Sequence, residues 1–228
     1  MLLSEPQLEA LRGRLIVSAQ AYPGEPMRNP QTMAQVAASA VIGGAAAVRV
    51  QGIADIQFTR SAVEVPVIGL FKDGHEGVFI TPTIHHALAV AQAGAHIVAL
   101  DGTRRARPDG KSLRQTITAV HEQTGALVMA DCGSLDDALA AAADGADLIG
   151  TTLAGYTGER AKTEGPDLEL LASIAAAGLE RPLVAEGRIH TPAQARAALD
   201  AGAFCVVVGT AITHPASITG WFDAALSP

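Results

Sequence analysis

Eight short apolar runs, each followed by a loop and then a stretch of helix-forming residues, fill this chain from near its start to near its end. The runs are 14–18, 46–50, 66–70, 96–100, 127–130, 147–150, 182–185 and 204–208. A strand that is apolar along its whole length is buried on both faces, and a helix between two strands lets them pair in parallel. Repeated units of this kind predict an α/β protein, and eight of them predict a closed (β/α)8 barrel of the TIM type. The competing architecture, an open doubly wound sheet, needs a switch point and usually fewer strands. A weak internal repeat favours the ring. Gly43-Gly44-Ala45, Ala93-Gly94-Ala95, Asp144-Gly145-Ala146 and Ala201-Gly202-Ala203 precede the second, fourth, sixth and eighth runs. They lie about fifty residues apart, each with a glycine expected to end a helix in the left-handed conformation. Helix starts are predicted at Thr83, at Ser134 with Asp137 three residues on, and at Thr191-Pro192. At 228 residues the chain is in the range where such barrels fold as one unit, so 1–228 is read as a single domain.

Charge and composition remove several function classes. Lys and Arg total 16 against 23 Asp and Glu, a net charge of −7, and no basic stripe with interleaved aromatics occurs, which argues against a nucleic-acid partner. Cys132 and Cys205 stand far apart with no CxxC or Cys/His spacing. Neither a disulfide framework nor a zinc site is suggested, and a reduced, cytoplasmic setting is the simpler reading. The opening residues lack a charged segment leading into an apolar one, and every apolar stretch is interrupted before membrane-spanning length, so neither secretion nor a membrane is expected. His75-Glu76 lacks the second histidine of a zinc helix, and His85-His86 are adjacent on a helix and face different ways, so no metal is predicted. There is no Gly-x-Ser-x-Gly elbow and no Gly-x-Gly-x-x-Gly after a strand, so hydrolase and dinucleotide readings lose support and no cofactor is expected.

In a (β/α)8 barrel, function stands at the C-terminal ends of the strands. Gln20 follows the first run, Lys72 the third, Asp131 the fifth and Glu186 the seventh, and inward residues of alternate strands form one layer, so these four side chains are expected around a common point. Arg49, near the end of the second run, adds a positive charge, and Asp101 marks the fourth. An ammonium between apolar walls and a second cation is pushed towards its neutral form, which makes Lys72 a candidate base. A lysine extending into water is the plainer alternative, as a carboxylate paired with Arg188 is for Glu186. Gly209-Thr210 after the eighth run and Gly187 after the seventh offer backbone amides to an anion. Segments 22–30, 72–82 and 101–110 follow strands and form active-face loops, the last two being candidate lids.

Six motifs in order along the chain carry a resemblance: Val17-Ser18-Ala19-Gln20-Ala21, Gly69-Leu70-Phe71-Lys72, Ile80-Thr81-Pro82-Thr83, Met129-Ala130-Asp131, Ala185-Glu186-Gly187-Arg188 and Val208-Gly209-Thr210-Ala211-Ile212-Thr213. Together they resemble the N-acetylmannosamine-6-phosphate 2-epimerase family. The resemblance implies a (β/α)8 barrel that interconverts N-acetylmannosamine 6-phosphate and N-acetylglucosamine 6-phosphate, with Lys72 as the proton-moving base and Glu186 as its partner. It further implies that Gln20, Arg49 and Asp131 place the sugar, that Gly187, Gly209 and Thr210 hold the phosphate, and that the protein is a homodimer. Three positions depart from the family pattern: Ala19 for a cysteine, Asp73 for a basic residue, and His214 for an arginine that binds the anion. Arg188 and His214 are the residues placed to substitute for that arginine. The implied chemistry is removal of the C2 proton from the open-chain aldehyde by neutral lysine, followed by reprotonation on the other face. Gln20 and Asp131, protonated or through a donor it orients, are the available partners for the enolate oxygen. The rivals are another sugar-phosphate isomerase or epimerase barrel, and a non-catalytic sugar-phosphate-binding barrel. A pentose-phosphate 3-epimerase would want metal-ligating His and Asp residues at strand ends, which the sequence lacks.

Overall fold

A computed structural model describes residues 3–226. Its strands are β1 (Leu15–Ala19), β2 (Ala47–Gln51), β3 (Val67–Leu70), β4 (Ile97–Asp101), β5 (Leu127–Asp131), β6 (Leu148–Gly150), β7 (Leu183–Glu186) and β8 (Cys205–Val208). Its helices are α1 (Glu5–Glu9), α2 (Pro30–Ile42), α3 (Ile53–Ala62), α4 (Ile84–Gln92), α5 (Leu113–Thr124), α6 (Leu135–Ala143), α7 (Leu168–Ala176), α8 (Pro192–Asp200), α9 (Thr210–Thr213) and α10 (Pro215–Leu226). Each strand pairs in parallel with the next, and β8 pairs with β1 through Leu15↔Val206, Ile16↔Val207 and Val17↔Val208. The sheet is therefore a closed barrel in sequence order, and the open-sheet alternative falls.

The eight strands coincide with the eight apolar runs to within a residue or two, because burial on both faces is what makes those runs apolar. One set of alternate residues, including Ile16, Ile68, Ile97, Met129, Leu148 and Val184, packs inside the ring as a cluster. The other set, including Val48, Val98, Leu100 and Ile149, packs against helix residues such as Ala37, Ile56, Val90 and Ile117. The predicted helix starts hold: Thr83, Ser134 and Thr191 accept from the amides of His86, Asp137 and Gln194. The four repeat glycines, Gly44, Gly94, Gly145 and Gly202, take φ values of +102°, +109°, +101° and +105°. Helix α1, ahead of the first strand, and the short α9, between β8 and α10, add to the pattern read from the sequence. Among the described residues no helix is long and apolar enough to cross a membrane.

Candidate active site

The inward parity of each strand continues past its last apolar residue and puts polar groups at one end of the barrel. Ser18 and Gln20 continue Ile16, Lys72 continues Ile68 and Leu70, Asp131 continues Met129, Thr152 continues Leu148, and Glu186 continues Val184. A cavity of about 860 Å³ opens there, lined by Gln20, Lys72, Thr152, Glu186, Gly187, Arg188, Gly209, Thr210 and His214 among others. Lys72 and Glu186 thus share one cavity, although they come from β3 and β7.

Beneath the cavity Arg49 reaches from β2 across the barrel. Its Nη1 and Nη2 donate to Asp131 at 3.1 and 2.6 Å, and Nη1 also donates to Glu186 Oε2 at 2.5 Å. Arg49 is 1% and Asp131 0% exposed. Neither is among the lining residues, so they form the layer on which the site stands. Thr152 Oγ1 bridges the two carboxylates, at 2.7 Å from Asp131 and 3.1 Å from Glu186. Glu186 pairs with Arg49 and not with Arg188. Arg188, at φ +54°, donates to the carbonyls of Ala154 and Gly165 and to Thr163 Oγ1, and its guanidinium lies over the Tyr156 ring.

Lys72 Nζ donates to Gln20 Oε1 at 3.1 Å and lies 5.7 Å from the centre of the Tyr22 ring. Gln20 Nε2 in turn donates to Ser18 Oγ at 2.8 Å. Burial first and the nearby Arg49 charge second bring the Lys72 ammonium below its usual range, against the opposing pull of Glu186 and Asp131. Burial, and then the Asp131 charge, push the Glu186 carboxyl up to about 7, although Arg49 acts to lower it. A base displaced downward and an acid displaced upward in one cavity are the pair that proton transfer near neutral pH requires.

The loop after β3 is anchored firmly. Lys72 and Ile80 form an antiparallel bridge, and Thr81, buried at φ +45°, donates through Oγ1 to the Ala99 carbonyl at 2.6 Å and accepts the Phe71 amide at 3.1 Å. Arg107 Nη2 donates to the Thr81 carbonyl at 2.8 Å. A β-branched residue in that region is strained and needs such support, and here the support fixes the backbone that carries Lys72. At the opposite edge Gly187 (φ +118°), Gly209 and Thr210 line the cavity with His214, whose imidazole is held between Glu25 and Ser217. Among the described residues no three His, Cys, Asp or Glu side chains are grouped to hold a metal ion. Sequence reasoning missed Ser18, Tyr22, Arg105 and Thr152 as lining residues; for Ser18 and Thr152 the inward parity was the available signal.

Comparison with known proteins gives a consistent set of likenesses. The family model described as "Putative N-acetylmannosamine-6-phosphate epimerase" matches residues 33–227. A protein of Cutibacterium acnes (strain DSM 16379 / KPA171202) is 60% identical over 220 residues, 96% of each chain. One of Klebsiella pneumoniae (strain 342) is 50% identical over 216 residues, 94% of this chain and 90% of that one. Both are named "Putative N-acetylmannosamine-6-phosphate 2-epimerase". The solved structure of the N-acetylmannosamine-6-phosphate 2-epimerase from Clostridium perfringens matches with a TM-score of 0.92 and 37% identity, covering 96% of both chains.

Proposed function

The chain belongs to the N-acetylmannosamine-6-phosphate epimerase family, and on that premise we propose how its barrel interconverts N-acetylmannosamine 6-phosphate and N-acetylglucosamine 6-phosphate. Lys72 and Glu186 move the proton at C2. The observation that carries the proposal is their common cavity, with the lysine depressed and the carboxyl raised by the same buried surroundings.

In the open-chain sugar the C2 proton lies next to the C1 carbonyl. Neutral Lys72 takes it on Nζ, the C2 electron pair moves into an enediolate, and a proton delivered to the other face of C2 inverts the centre. Glu186, able to hold a proton near neutral pH, delivers its own to that face, leaving Lys72 protonated and Glu186 ionised until exchange with solvent resets the pair. Gln20 acts on Lys72 directly: its Oε1 accepts an N–H of Nζ, and its amide nitrogen keeps a second N–H for the substrate. Arg49 and Asp131 act from below, fixing Glu186. The anion rests on the turns at Gly187, Gly209 and Thr210, with Arg188 forming the wall of the sugar site and His214 beside the phosphate.

The test is incubation with N-acetylmannosamine 6-phosphate in heavy water. Deuterium is expected at C2 of substrate and product, and Lys72→Ala is expected to abolish it. Exchange surviving that substitution would overturn the assignment of the base. Tight binding with no label from the unmodified protein would instead identify a non-catalytic sugar-phosphate-binding barrel.

The same reading includes a homodimer in a cytoplasmic setting. Helix α10 buries none of its described residues and exposes Phe222 at 69% and Leu226 at 84%, apolar surface that a second copy would cover. Cys132 and Cys205 are both buried and unpaired, as suits a reducing compartment. Light scattering is expected to give the mass of two chains; the mass of one would end the dimer.

A further inference from the structure

Arg105 stands across the barrel mouth from the anion end. It follows β4, which is four places round the ring of eight from β8, the strand that leads into Gly209 and Thr210. One edge of its guanidinium is locked: Nε donates to Thr103 Oγ1 at 3.0 Å and Nη2 to Asp101 Oδ2 at 2.6 Å. Asp101 is fully buried, and its other oxygen accepts from the Thr103 amide and hydroxyl at 3.0 and 2.6 Å. The locked edge leaves Nη1, which makes no hydrogen bond to any described residue. A cation held this firmly at a cavity is a preorganised donor.

Two apolar side chains line the same cavity. Arg105 lines the cavity together with Phe79 and Ile80 of the loop that carries Lys72, and the Asp101 amide donates to the Ile80 carbonyl at 2.9 Å, which stitches the two loops together. The charges that bear most on Lys72 are Arg49, Glu186, Asp131 and Arg28, and Arg105 is not among them. Arg105 thus lines the cavity without standing among the charges that act most on Lys72.

We infer that Arg105, Phe79 and Ile80 form the pocket for the N-acyl group on C2, with Nη1 donating to the amide carbonyl oxygen and the two apolar side chains facing the acyl methyl. This rests on the proposed epimerase activity, since C2 over Lys72 and phosphate over Gly209 are what direct the acyl group towards β4. The group combines a strong neutral acceptor with an apolar tip, and the pocket combines a fixed donor with an apolar wall. Asp101 and Thr103 are the positioning residues.

The experiment compares the unmodified protein with Arg105→Lys and Arg105→Met. Lysine keeps a positive charge opposite buried Asp101, so it preserves the fold while removing the second edge of the donor. Both variants are expected to raise KM for N-acetylmannosamine 6-phosphate by about tenfold or more, with kcat changed by less than about threefold. Inhibition by mannose 6-phosphate, which has no acyl amide, is expected to be equal in all three proteins. An unchanged KM, a fall in kcat at constant KM, or equal weakening of mannose 6-phosphate would each overturn the acyl pocket. Failure of the epimerase activity would show in the unmodified protein and remove the inference with it; failure of the inference alone would show only in the variants.

Discussion

Replacing Arg49 with methionine tests the layer beneath the site. Arg49 is 1% exposed and is the cation shared by Asp131 and Glu186. Methionine is apolar, flexible and of comparable length, so it fills most of the vacated volume and isolates the loss of charge. Two carboxylates then occupy one buried space, with the Thr152 hydroxyl between them. Removing one partner of a buried ion pair costs about 3–5 kcal/mol, which for a chain of this size lowers Tm by roughly 6–20 °C. The pH dependence has a definite sign. Without Arg49 the Glu186 carboxyl, already raised by burial, loses the charge that lowers it, so the folded state binds more protons than the unfolded one and stability falls as pH rises. Chemical denaturation at about pH 5 and about pH 8 reads both effects, with the larger loss expected at the higher pH. A loss below about 1 kcal/mol, or the same loss at both pH values, would refute the reasoning.

Three further outcomes follow from the same geometry. Burial holds the Glu186 carboxyl at about 7 against an ordinary 4.5, so its part of the folding stability declines as pH rises through that window and is level above it; denaturation of Glu186→Gln across the range is expected to lack the decline. Thr152→Val removes the hydroxyl shared by Asp131 and Glu186, with an expected cost of about 1–3 kcal/mol and a further rise in the Glu186 carboxyl, seen as an upward move of the corresponding limb of the pH–rate profile. Gly187→Ala places a side chain at φ +118°, where the nearest atoms to a new Cβ are 3.9 Å away. The cost is therefore in the backbone, about 1–3 kcal/mol, and inhibition by inorganic phosphate is expected to weaken; unchanged inhibition would take Gly187 out of the anion site.

The barrel was legible because its strands have no polar face: a run such as 204–208 has one place to go, between a core and a helix layer. The inward placement of Gln20, Lys72, Asp131 and Glu186 follows from a period of two counted from those runs. Pairing across the ring was not legible. Arg49 meets Asp131 and Glu186 at separations of 82 and 137 residues, and no local pattern records which of several carboxylates it reaches. The sequence offered Arg188 as the partner of Glu186 because the two are close in the chain, yet a left-handed backbone at Arg188 turns it onto the loop that bears Tyr156. Arg105 lies in a loop without periodicity, and its role depends on Asp101, whose own burial becomes visible only when the ring is closed.

The pairing of β1 with β8 bears on how the protein is made. Those strands are nearly the whole chain apart, so while the ribosome is still extending the polypeptide the first strand has an exposed edge and the guanidinium of the second strand waits for carboxylates not yet synthesised. Closing the ring therefore depends on a contact of very high sequence separation, and the loop entropy of that contact must be overcome before the barrel gains from it.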